Sequence, residues 1–94
     1  MGIMVRWEPV VVDLGWLPRA ATVRVRLDAV VNVRLLNAEN VGPYRRRSAY
    51  RMVGGVATQR QLDIRVPSDG HWYIAVDTEG LTAGNFRVDV TVVS

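Results

Sequence analysis

"LDIRVPSDGHWYIAV", residues 62–76, decides how this chain is read. Leu62, Ile64 and Val66 alternate with Asp63 and Arg65. After five residues, Trp72, Ile74 and Val76 alternate with Tyr73 and Ala75. A period of two with one greasy face is the pattern of a half-buried antiparallel strand. Pro67 and Gly70 supply turn chemistry between the two segments. If Val66 faces Trp72 across the loop, Ile64 faces Ile74 and Leu62 faces Val76. All six then share one face, as a hairpin requires.

The same alternation recurs along the chain. "VRVRL" (23–27) sets Val23, Val25 and Leu27 against Arg24 and Arg26. "VNVRL" (31–35) sets Val31, Val33 and Leu35 against Asn32 and Arg34. "FRVDVTV" (86–92) sets Phe86, Val88, Val90 and Val92 against Arg87, Asp89 and Thr91. "VVVD" near residue 11 adds a sixth strand, and "YRMVGGVA" a seventh that Gly54 and Gly55 interrupt as a bulge or tight bend. Eighteen residues are valine, which is stiff at its first torsion and favours strands. No segment carries a helical period. The expectation is all-β: a small antiparallel β-sandwich or flattened barrel, jelly-roll-like, forming one domain over residues 1–94. Leu27 facing Val31 would make a second hairpin, with Arg24 opposite Arg34 and Arg26 opposite Asn32. The loop between them has no glycine, and the same residues can equally run as one long bent strand.

Composition narrows the function. Apolar residues make up 49% and the formal net charge is +3. Cysteine is absent, which removes disulfides and cysteine-based zinc sites. Apolar runs are too short for a membrane-spanning helix. "MGIMVRW" lacks the pattern of a secretion signal, and Arg6 stands where myristoylation wants serine or threonine. A cytoplasmic location is expected. All twelve basic residues are arginine, the mark of a GC-rich bacterial coding bias.

The chemistry-bearing residues are few. His71 is the single histidine. It closes the 67–71 turn, and its imidazole is expected to bond a loop carbonyl or Asp69; the alternative is a ligand-binding or catalytic histidine. One histidine without cysteine or a carboxylate constellation is poor material for a metal site or a triad. Ser48, Ser68 and Ser94 have no nucleophile elbow, and Gly54-Gly55 lacks the lysine of a phosphate loop. No metal and no cofactor is expected, and the chain is not read as an enzyme. "YRRRSAYR" (44–51) interleaves Tyr44 and Tyr50 with Arg45, Arg46, Arg47 and Arg51. Such a segment can hold phosphates and stack bases, or be a solvated loop. Arg24, Arg26 and Arg34 form a second basic group. Asp63 or Asp89 from a neighbouring strand would neutralise them; otherwise they face an anionic ligand or acidic partner.

Several stretches match one family in order. "VDLGWL", "VNVRLLNAENVGPY", "MVGG" and above all "LDIRVPSDGHWY" resemble the bacterial proteins catalogued as domain of unknown function 1883. The likeness runs from about Asp13 to Val92, with Asn37 standing where an aspartate is expected. The resemblance implies a small all-β domain without an established activity, found alone or joined to Toll/interleukin-receptor-type domains. It thus implies sensing or docking in bacterial defence or signalling. The expected function is a non-catalytic binding module that takes an anionic ligand or a partner protein through Arg24, Arg26, Arg34, Tyr44, Arg45, Arg46, Arg47, Arg51, His71 and Tyr73. The alternatives are a nucleic-acid binder using the arginine-rich loop and a structural domain that oligomerises through its strand edges.

Overall fold

Alternating apolar residues carry the strands of residues 22–27, 31–37, 61–65 and 70–77, and these turn that face inward. The computed structural model describes residues 9–81 and 86–93. Within them run β1 (Val10–Leu17), β2 (Thr22–Leu27), β3 (Val31–Asn37), the helix α1 (Ala38–Arg45), β4 (Val53–Ala57), β5 (Gln61–Arg65), β6 (Gly70–Asp77) and β7 (Val88–Val93). They form a four-stranded sheet, β1-β6-β3-β4, and a three-stranded sheet, β5-β2-β7, with every pair antiparallel. The fold is an all-β sandwich. Between the sheets lie Val23, Val25, Val31, Val33, Leu35, Ile64, Val66, Trp72, Ile74 and Val76, all buried. Each such side chain contributes about 1.5–3 kcal/mol through removal from water.

The expected 62–76 hairpin is corrected, and of the two readings left open for residues 23–35 the hairpin is ruled out. β5 and β6 lie in different sheets. The residues between them cross the sandwich, so the apolar sets of residues 62–66 and 72–76 meet through the core instead of side by side. Parity predicted which side chains are inward, because parity is set within a strand; it cannot say which strand lies next door. β2 and β3 also separate, with Asp28–Val30 carrying the chain from one sheet to the other. The alternative partners are better. In the proposed hairpin Arg24 would have faced Arg34; in the fold it faces Asp63 on β5. Opposite charges across a ladder stabilise where like charges do not.

The helix was not expected. It is one short element of eight residues. Val41 and Tyr44 are its only large apolar residues, and Gly42 and Pro43 sit in its middle, so no period is readable. Its end is firmly closed: Arg47 N–H donates to Tyr44 O at 3.0 Å and Ser48 N–H to Pro43 O at 2.9 Å. That is the Schellman pattern, with Arg47 in the left-handed position (φ 60°) that glycine normally fills.

Gly54 and Gly55 make no bulge. The β3–β4 register runs in step from Val31↔Ala57 to Leu35↔Val53. The register shift lies in β1 instead, between Asp13 and Gly15. Gly54 is needed because the strands approach closely: at φ 131° a Cβ would stand 2.2 Å from Val33 O. Gly54→Ala should therefore lower stability by more than about 1 kcal/mol in urea denaturation, whereas a parent-like curve would show that β4 can shift.

Candidate functional site

Residues that alternate away from the core on β3 and β6 build the outer face of the four-stranded sheet. Asn32, Arg34 and Leu36 stand beside Asp77, Ala75 and Tyr73 respectively. α1 lies over this face. Leu36, Ala75 and Tyr44 are fully buried beneath it, with Val11, Val41 and Tyr50 packed around them.

Asp77 is the centre of this second layer. Its carboxylate is buried, 4% exposed. It accepts hydrogen bonds from Tyr44 OH at 2.6 Å, Asn32 Nδ2 at 2.7 Å and the Glu79 N–H at 3.1 Å. Arg34 Nη1 completes the set as an ion pair. Burial alone would raise the Asp77 carboxyl; the bonds from Tyr44, Asn32, Arg34 and Glu79 outweigh it and hold the group below its ordinary range. The same burial, with the carboxylate beside it, pushes the Tyr44 phenol up, so Tyr44 stays a neutral donor. Burial works against the Arg34 charge, and Asp77 more than restores it. The guanidinium also lies over the Tyr44 ring, 5.7 Å from its centre. Arg34 Nε is buried without a hydrogen-bond partner among the described residues.

The expected site residues therefore divide. Tyr44 and Arg34 are not outward-facing: Tyr44 is 1% exposed and both are tied to Asp77. They anchor the helix to the sheet. Arg47 is exposed but pairs with Glu79. Arg45, Arg46 and Arg51 are exposed, and none pairs with an acid among the described residues. The Arg51 N–H donates to Asn40 Oδ1 at 2.9 Å, folding the arginine-rich segment back on the first half of α1.

His71 and Tyr73 stand at the other end of β6. Their rings stack 4.9 Å apart, 17° from parallel. The partner of His71 is neither Asp69 nor a carbonyl: Nε2 lies 2.6 Å from Asp13 Oδ1 on β1. Asp69 is occupied elsewhere, accepting the Arg19 N–H at 2.6 Å. Asp13 also accepts the Gly15 N–H at 2.8 Å, and that bond and the His71 contact hold its carboxyl below the ordinary range. Asp13 comes within reach because β1 bulges there.

Arg24 and Arg26 sit on the opposite side of the molecule, in the three-stranded sheet. Arg24 pairs with Asp63, 3.0 Å, as expected of a neutralising neighbour. Arg26 lies across from Asp89 on β7. Arg34 lies in the other sheet, so the three arginines expected as one basic group do not meet. Ser48 and Ser68 stand in loops, and Ser94 lies outside the described residues. Among the described residues no group of three His, Asp or Glu side chains is placed to hold a metal ion, and no helix is long and apolar enough to cross a membrane.

Sequence reasoning missed Asp77, Asn32, Glu79 and Asp13. Asp77 was legible as a strand-end aspartate on the outer face. Nothing in the sequence says that a helix will cover it.

No curated protein and no solved structure matches the chain. The model of the family described as Domain of unknown function (DUF1883) matches residues 10–94, and the chain belongs to that family.

Proposed function

We propose that this domain is a non-catalytic docking module that takes an acidic segment of a partner protein on Arg45, Arg46 and Arg51. The observation that carries this reading is three exposed arginines, close in sequence and without an acid partner among the described residues, at the end of a helix docked on the sheet. Arg24, Arg34 and Arg47 have acids of their own; among the described residues these three have none, and they sit within seven residues. Tyr44 roots the helix beside them on Asp77. A charged fork held in place loses less side-chain freedom on binding than one on a loose loop. Such a module fits a bacterial cytoplasm, in a sensing or signalling protein.

The test is fluorescence anisotropy with a labelled deca-glutamate peptide and, in parallel, a single-stranded DNA 12-mer. Arg45→Ser/Arg46→Ser/Arg51→Ser should fold as the parent does, each exposed change costing no more than about 0.5 kcal/mol. It should lose the peptide. Arg47 is left in place because it closes the helix. Nucleic acid is the reading to beat. Tighter binding of the DNA, with a salt slope that falls by about 2 in the variant, would replace docking by nucleic-acid binding.

Oligomerisation has its own support. β4 is an edge strand with Val53 and Val56 exposed, and an open edge invites pairing. Light scattering that reports a monomer across a wide concentration range would remove it.

A further inference from the structure

Trp16 is the most exposed of the large apolar side chains on the described surface, at 64%. It lies directly across from His71 in the β1–β6 register, so both rings leave the same face of the sheet. His71 stacks on Tyr73, and the Asp13 contact fixes its ring. Three aromatic side chains thus occupy one strip of open sheet. Beside His71 the strip opens into a cavity of about 210 Å³, bordered by Asn37, Glu39, Ser68 and Asp69. Trp72 borders it too, but its indole N–H is bound to Ser68 O at 2.9 Å.

We propose that this end of the outer face binds a saccharide, with the flat face of one sugar ring against Trp16 and the hydroxyls of the next ring, beyond His71, turned into the cavity. An exposed indole offers a broad apolar plane at little entropic cost, which suits the C–H face of a pyranose. The cavity offers both kinds of hydrogen-bonding group. Glu39 and Asp69 present acceptors and Ser68 a hydroxyl. Asn37 spends its Oδ1 on the Asn40 Nδ2 at 2.7 Å, which leaves its own amide N–H₂ as a donor. A polyol satisfies such a mixed set, because each hydroxyl both donates and accepts.

An anion does not suit the place: Glu39 and Asp69 border the cavity, and Asp13 is bound to His71 at its edge. A cation suits it less than a sugar does. Asp13 already has His71, one oxygen of Asp69 is taken by the Arg19 backbone N–H, and the Asn37 amide donor would face the cation. The site is separate from the arginine cluster and does not depend on it. Across adjacent strands spaced about 4.8 Å apart, the strip from β1 to β3 is about 10 Å wide, the scale of two linked sugar rings.

Titration calorimetry with maltotetraose, cellotetraose, chitotetraose and mannotetraose tests the proposal, with tetramethylammonium chloride as the cationic probe. At least one oligosaccharide should bind with a Kd of about 1 mM or tighter. Trp16→Ala should weaken it at least about tenfold while leaving the thermal melt unchanged, and Trp16→Phe should recover part of the loss. Arg45→Ser/Arg46→Ser/Arg51→Ser should bind the sugar as the parent does, which separates this site from the docking surface. Failure of all four oligosaccharides overturns the proposal. So does affinity that survives Trp16→Ala, or Trp16-dependent binding of tetramethylammonium with no sugar bound.

Discussion

Asp77→Ala should destabilise the domain by about 3–5 kcal/mol, the cost of breaking a buried ion pair from one side. The carboxylate is the common acceptor of Tyr44, Asn32, Arg34 and the Glu79 amide. Without it the half-buried Arg34 charge loses its acid partner, and the Tyr44 hydroxyl and one of the two bonds of the Asn32 amide lose their acceptor in a place water reaches poorly. Urea denaturation followed by circular dichroism measures the loss. The pH dependence has a definite sign. The Asp77 carboxyl is held below its ordinary value of 3.8 in the folded chain. Its contribution is therefore complete above that value and is lost as pH falls through the lower folded value. Acid unfolding should set in below about pH 4, and Asp77→Asn should remove that part of the dependence. Equal stability of Asp77→Ala and parent would mean that the second layer forms without the network.

Trp72→Ala should cost a similar amount, about 3–5 kcal/mol, by a different route. Trp72 is 6% exposed and packs in the inter-sheet core with Ile74, Val76 and Val66. Truncation removes the apolar contact and leaves a cavity that strands pinned by their ladders cannot close. The indole N–H bond to Ser68 O is also lost, and with it a tie on the crossing segment from β5 to β6. Because the loss is of apolar burial, it should be insensitive to pH between about 3 and about 8, unlike that of Asp77→Ala. Thermal denaturation at both ends of the range separates the two.

Local alternation made the strands and their inward faces readable. Val23, Val25, Ile64, Trp72 and Ile74 are buried as their parity requires. Pairing was not readable, because Val66 and Trp72 satisfy the same pattern whether they share a hairpin or face each other through a sandwich. The helix escaped for a physical reason as well. With Gly42 and Pro43 inside it, its stability comes from Tyr44 and Val41 docking on the sheet, not from its own propensity. That docking reverses the meaning of the segment "YRRRSAYR". Its first residue is an anchor, its Arg47 closes the helix and pairs with Glu79, and Arg45, Arg46 and Arg51 stand exposed without an acid partner among the described residues. His71 was expected to bond within its own turn, but its partner sits 58 residues away on β1, a distance no local pattern bridges.

The most direct test of the account is an amide ¹H–¹⁵N titration of the whole chain with the deca-glutamate peptide. The account predicts perturbations at Arg45, Arg46, Tyr50 and Arg51, with the amides of β5, β2 and β7 unmoved. Perturbations centred on Arg24 and Arg26 in the three-stranded sheet, or none at all at saturating peptide, would contradict it.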